Sequence, residues 1–145
     1  MITKASIASW FRDLQDDICG QLEAQCPGFH FKEDLWKRPE GGGGRTRILN
    51  STDIAKGGVN FSEVEGPLPA QAEKSLGISG KNFFATGVSI VLHPSNPWVP
   101  IIHMNVRYFE MDGDIWWFGG GIDFDTTHYK SKASKGISFE FEARL

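Results

Sequence analysis

Between residues 6 and 25, apolar side chains recur every three or four positions: Ile7, Trp10, Phe11, Leu14, Ile18 and Leu22. That spacing gathers them on one face of a helix. Ser6 stands where a side-chain cap would take up a free N–H, and Cys26-Pro27-Gly28 ends the pattern. Beyond it the period falls toward two, which predicts strands over about 29–37, 45–50, 57–65, 82–93, 102–110 and 114–119. Asp112-Gly113, between the last two, is a hairpin signal. The segment 65–80, opening Glu-Gly-Pro-Leu-Pro, is a connection with room for a short helix. Residues 137–143 alternate, with Ile137, Phe139, Phe141 and Ala143 set against Ser138, Glu140 and Glu142, and predict one more strand. One helix ahead of a run of antiparallel strands, with no internal repeat, gives an α+β protein.

At 145 residues the chain is expected to form a single domain over 1–145 with its own core. Aromatic content of 12% and charged content of 23% favour a packed protein over a disordered one. The net charge of −3 argues against a general nucleic-acid binder. Two cysteines, Cys19 and Cys26, form neither a C-x-x-C motif nor a disulfide framework. No signal peptide or membrane span is apparent, which makes the cytoplasm the default expectation.

The segment from His93 to Phe109 concentrates candidate chemistry. A proline-stiffened loop (Pro94, Pro97, Pro100) separates two predicted strands. On the first, Ser89 and His93 share a parity; on the second, His103, Asn105 and Arg107 do. If the strands are antiparallel neighbours, all five border one cavity. Imidazole, carboxamide and guanidinium together can move a proton, form hydrogen bonds and clamp a carboxylate. A buried guanidinium must be paired or face a ligand. His93 and His103 also fit a metal by residue type, but their spacing matches no usual motif and neither His30 nor His128 is an obvious third ligand. The run Gly41–Gly44 followed by Arg45-Thr46-Arg47 lacks the Gly-Lys-Ser/Thr of a P-loop. It reads as a turn admitting close backbone approach, with anion binding through Arg45 or Arg47 as the alternative. Gly119–Gly121 lacks the dinucleotide-binding spacing. Trp98, Trp116 and Trp117 are either walls for a flat ligand or plain core.

Six ordered blocks carry a resemblance. They are Trp36-Lys-Arg-Pro-Glu-Gly-Gly-Gly-Gly-Arg-Thr-Arg-Ile-Leu49, Lys56-Gly-Gly-Val-Asn-Phe-Ser62 and Phe83-Phe-Ala-Thr-Gly-Val-Ser89, then His93-Pro-Ser-Asn-Pro-Trp-Val-Pro100, His103-Met-Asn-Val-Arg-Tyr-Phe-Glu110 and Trp116-Trp-Phe-Gly-Gly-Gly-Ile-Asp123. From about residue 8 to 123 the chain resembles the N-terminal half of oxygen-dependent coproporphyrinogen III oxidases. The resemblance implies a large, flat antiparallel sheet flanked by helices, here truncated, and assembly as a homodimer. It also implies oxidative decarboxylation of two propionates of coproporphyrinogen III to vinyls, giving protoporphyrinogen IX, with O2 as co-substrate and no further cofactor. By the same resemblance His103 is the proton donor, Ser89, Asn105, Val106 and Arg107 contact substrate, and His93 with His103 match positions sometimes assigned to a divalent, non-essential metal. After Asp123 the family pattern Leu-Thr-Pro-Tyr-Tyr is replaced by Phe124-Asp-Thr-Thr-His-Tyr129, which makes 124–145 a divergent tail.

Overall fold

The computed structural model describes residues 2–77, 80–112, 115–125 and 137–143. The amphipathic segment forms α1 (Lys4–Gln25), and its cap is Thr3 rather than Ser6. The Thr3 hydroxyl accepts the Ser6 N–H while the Ser6 hydroxyl accepts the Thr3 N–H, a reciprocal capping box that starts the helix earlier than its apolar pattern. The buried face comprises Ala8, Phe11, Gln15 and Cys19, flanked by Ile7, Leu14, Ile18 and Leu22. Trp10 falls outside it and is 59% exposed, its ring edge-on to Phe11, because adjacent residues diverge by about 100° around a helix.

The strands are β1 (His30–Lys37), β2 (Gly42–Asn50), β3 (Ile54–Pro67), β4 (Asn82–Pro94), β5 (Ile101–Met111), β6 (Ile115–Asp125) and β7 (Ile137–Ala143). They form one antiparallel sheet ordered as in the chain. β2 starts inside the glycine run, and β6 continues through Gly119–Gly121 to Asp125. Glycine has little strand preference of its own, but a paired strand on each side holds it extended. Helix α2 (Ala70–Leu76) occupies the 65–80 connection and ends on left-handed Gly77. Asp112, at φ 48°, turns the chain toward β6, while Gly113 lies outside the described residues. In the tail, β7 pairs with β6 from Phe118 to Phe124, and residues 126–136 and 144–145, His128 among them, lie outside the described residues.

Helix α1 packs on β3 and β4. Cross-strand partners share a sheet face, so the register sorts the side chains. The α1 face carries Val59, Phe61, Phe84, Val88, Ile90 and Tyr108, the core. Gln15, with no exposed surface, pins helix to sheet. Its Nε2 donates to the main-chain oxygens of Arg45 (2.7 Å) and Val59 (2.8 Å), and its Oε1 accepts from Arg45 Nε (2.7 Å). Arg45 also meets Asp16 at 2.9 Å; Arg47 meets Asp16 at 2.6 Å and Glu33 at 2.9 Å. Burial alone would push the Asp16 carboxyl up, but the two guanidiniums outweigh it and hold it below the ordinary value. The alternative of an anion cradle at Arg45 and Arg47 therefore fails: carboxylates of α1 and β1 already occupy both arginines. The glycines before them do admit close neighbours, since a side chain on Gly42 would run into the Glu63 carbonyl.

Candidate active site

The face of the sheet away from α1 is organised in rows that cross the strands. An aromatic ladder comes first: Phe83 and Phe109 stack at 5.7 Å between ring centres, Phe109 and Trp117 at 4.4 Å. Gly44, Ser62, Gly87, Arg107 and Gly119 form the next row as successive register partners. Thr46, Asn60, Ser89, Asn105 and Gly121 form the third. Ile48, Gly58, Val91, His103 and Asp123 form the fourth, with His93 beyond it on β4. Adjacent rows lie about 7 Å apart, two residues of strand rise.

Small residues keep the middle of this face open. Arg107 stands between Gly87 and Gly119, and Asn105 between Ser89 and Gly121. Arg107 is exposed rather than buried, and among the described side chains, which exclude those of β7, it makes no ion pair. A cavity of about 360 Å³ is lined by Asn60, Ser62, Ser89, Asn105 and Arg107, with Trp36 as its aromatic wall. That volume is within the range of small-molecule sites. The Trp36 Nε1 donates to Thr46 Oγ1 at 3.2 Å, and the ring crosses Gly44, where a Cβ would collide with it. Two oxygens in this lining stand out. Asn60 Oδ1 and Asn105 Oδ1 are buried and, among the described residues, accept no hydrogen bond. Buried polar atoms are nearly always paired.

The two histidines sit on the same face, beyond the cavity. Their rings lie 4.9 Å apart and the two Nε2 atoms are separated by 2.6 Å. In a contact this short one nitrogen donates and the other accepts, and the tautomers decide which. His103 faces Asp123 across β6, and His93 faces Lys56 across β3. As they sit, the pair does not fit a shared metal: two nitrogens ligating one tetrahedral zinc are about 3.3 Å apart, given bonds of about 2.0 Å. No group of three or more His, Cys, Asp or Glu side chains converges for a metal among the described residues. His30 opens β1 at the sheet edge.

The five residues singled out around the proline loop thus share one face, but only Ser89, Asn105 and Arg107 line the cavity. The expectation that His93 and His103 border the same cavity is not met, because four residues of extended chain carry His103 away from Arg107. Val106 packs its side chain toward the core and offers the cavity only its main chain. Trp116 is core, set against Tyr108 and Phe118; Trp117 belongs to the ladder on the open face; Trp98 is 71% exposed in the loop before β5. Trp36 and Asn60 were not anticipated. Asn60 interrupts the apolar pair Val59 and Phe61, a weak signal, whereas nothing in Leu35-Trp36-Lys37 marks a wall. Two larger clefts, of about 770 and 550 Å³, lie by α1 and at the sheet end near Lys4 and Asp112. Neither is lined by any of the five residues around the proline loop, so the candidate site rests on its chemistry rather than on its size.

A meandering sheet with a helix on one face and an open, carboxamide- and arginine-bearing floor on the other defines an α+β protein. The chain belongs to the coproporphyrinogen III oxidase family, whose model matches residues 6–138. It is 45% identical over 138 residues to an oxygen-dependent coproporphyrinogen-III oxidase of Prochlorococcus marinus strain SARG, covering 88% of this chain and 40% of the relative. A second relative of that name, from strain MIT 9313 of the same species, is 51% identical over 113 residues, covering 76% of this chain and 32% of its own length. The chain thus spans two fifths or less of these curated relatives.

Proposed function

We propose that the open face binds coproporphyrinogen III and that the protein acts in the oxygen-dependent conversion of two of its propionates to vinyls, yielding protoporphyrinogen IX. The observation that carries this reading is Arg107, Asn105 and Ser89 around one cavity on an otherwise glycine-rich floor. The substrate has ionised carboxylates at its rim, N–H donors at its centre and flat apolar pyrroles. A guanidinium grips a carboxylate through two parallel hydrogen bonds, a contact of about 1.5–3 kcal/mol. The Phe109–Trp117 ladder and Trp36 suit the ring faces. From His103 to Arg107 is four residues of strand, about 13 Å, a span that a four-ring substrate bridges and a small acid does not.

In this reading each propionate loses a β-carbon hydrogen and CO2 as the vinyl double bond forms. Two electrons leave through the electron-rich pyrrole to O2, which takes up protons to become hydrogen peroxide. Because the propionate supplies the two electrons and the pyrrole relays them, neither flavin nor haem is needed and O2 is the co-substrate. His103 serves as proton donor, its partner His93 exchanging the shared proton with it. A homodimer in the cytoplasm completes the proposal; among the described residues no helix is long and apolar enough to cross a membrane.

The second reading is a relative that binds the porphyrin, or dimerises, without turnover. It is favoured by the short span relative to the curated oxidases and by a cavity whose described lining has no acidic side chain. Incubation with coproporphyrinogen III under air, followed by identification of the tetrapyrrole, separates the two. Vinyl-bearing product supports the first. Saturable binding with unchanged substrate supports the second, and neither binding nor product removes both.

A further inference from the structure

Asn60 is the residue on the open face that nothing so far assigns. It sits in the middle of β3, between Thr46 on β2 and Ser89 on β4, and its carboxamide oxygen is buried with no partner among the described residues. Burying an acceptor unpaired costs folding free energy. An apolar residue of similar size would avoid that cost. No side chain covers the oxygen from the next position on that face: Gly58, two residues earlier, would with a Cβ come within 3.8 Å of it. The same condition recurs two strands away at Asn105 Oδ1, with Ser89 between them. The two backbones are therefore about 10 Å apart, two strand spacings.

Acceptors without partners call for a ligand with donors. An ionised carboxylate, the group suited to Arg107, has none. A ligand that satisfies this floor must bring carboxylates to Arg107 and N–H groups to the carboxamides. A reduced tetrapyrrole does so, because its four pyrrole N–H groups are free to point out of the ring plane. An oxidised porphyrin keeps only two N–H groups, both held within a flat, conjugated ring. The described cavity lining holds no carboxylate; on the same face Asp123 stands one row beyond Gly121, and β7 brings Glu140 and Glu142 opposite Gly121 and Gly119 in the register.

Resting on the reading of this face as a tetrapyrrole site, we propose that Asn60 is a substrate-positioning residue whose carboxamide oxygen accepts a pyrrole N–H and so favours the reduced tetrapyrrole over the oxidised one. Trp36 lines the same cavity.

The test is anaerobic titration of the whole chain with coproporphyrinogen and, separately, with coproporphyrin, for wild type, Asn60→Leu and Asn60→Asp, with thermal melts of each. One neutral hydrogen bond corresponds to roughly a two- to tenfold change in affinity. Asn60→Leu is expected to lose that factor for the reduced ligand, leave the oxidised ligand unchanged, and melt no lower than wild type. Asn60→Asp, which keeps an acceptor at the position, is expected to retain the preference for the reduced form. Asn60→Ala gives the same comparison should leucine crowd the cavity. Unchanged affinity for the reduced ligand, an equal loss for both ligands, or a lower melting temperature as the sole effect of leucine would each overturn the assignment. If wild type binds neither form, the reading of the face as a tetrapyrrole site fails first, and the role of Asn60 with it.

Discussion

On the α1 side of the sheet, the side chains of Arg45 and Arg47 are 16% and 18% exposed and both meet carboxylates. On the opposite side Arg107 is exposed and, among the described side chains, meets none. The carboxamides divide in the same way. Gln15 uses its nitrogen twice and its oxygen once, while Asn60 and Asn105 each leave an oxygen buried and unmatched. The same functional groups thus do different work on the two faces. Where polar groups satisfy one another they hold the helix to the sheet, and their removal should cost stability. Where they lack partners they offer hydrogen bonds to something else, and their removal should cost binding.

The largest expected effect breaks the closed side. Gln15→Leu removes the side-chain donor to the Arg45 and Val59 carbonyls and the acceptor for Arg45 Nε, and should lower unfolding free energy by about 3 kcal/mol, read from the denaturation midpoint; an unchanged midpoint would mean the amide does not hold the helix. Next, Gly44→Ala should drive the Trp36 ring off the sheet. A cost of about 2 kcal/mol is expected for such a clash, together with a change in tryptophan emission and weaker tetrapyrrole binding; unperturbed emission would exclude Trp36 as a wall resting on Gly44. Arg47→Ala should then cost about 1 kcal/mol, a modest figure because Asp16 and Glu33 are partly solvated, while Arg107→Ala should stay within about 0.5 kcal/mol. Equal losses at the two arginines would erase the contrast between the faces.

The smallest effect is one of pH. Arg45 and Arg47 hold the folded-state Asp16 carboxyl below its ordinary 3.8. Its contribution is therefore fully present above that value and is lost as pH falls through the lower folded-state value. Melting temperatures followed down through about pH 5 to 2 should drop less steeply for Asp16→Asn than for wild type. Parallel curves would show that the carboxylate is not stabilised by its two guanidiniums.

Much of this is legible in the chain because periodicity reports the backbone directly. The helix and the strands follow from spacing and turn residues, except where β2 and β6 run through glycines that the pattern leaves out, and α2 fills the room left in the 65–80 connection. The end strand 137–143 follows from alternation alone and takes its place beside β6. What spacing does not carry is partnership. Arg45 and Arg107 look alike in sequence, each near glycines or polar neighbours, and only the register shows one under α1 and the other on the open face. Parity correctly groups Ser89, His93, His103, Asn105 and Arg107 on one side. It does not show that the strand's own rise separates the histidines from the cavity, or that Trp36 and Asn60 arrive from β1 and β3 to complete it. Thr3 escapes a reading of the apolar pattern because capping depends on a reciprocal contact and not on the first apolar residue.

The most direct test of the account is tetrapyrrole binding measured on one variant from each face. Anaerobic calorimetric titration with a coproporphyrin-type tetracarboxylate should give saturable binding to wild type and to Arg47→Ala, and binding roughly ten- to a hundredfold weaker to Arg107→Ala at an unchanged melting temperature. Wild-type affinity in Arg107→Ala, with the loss appearing in Arg47→Ala instead, would move the ligand to the α1 side and contradict the assignment of the open face.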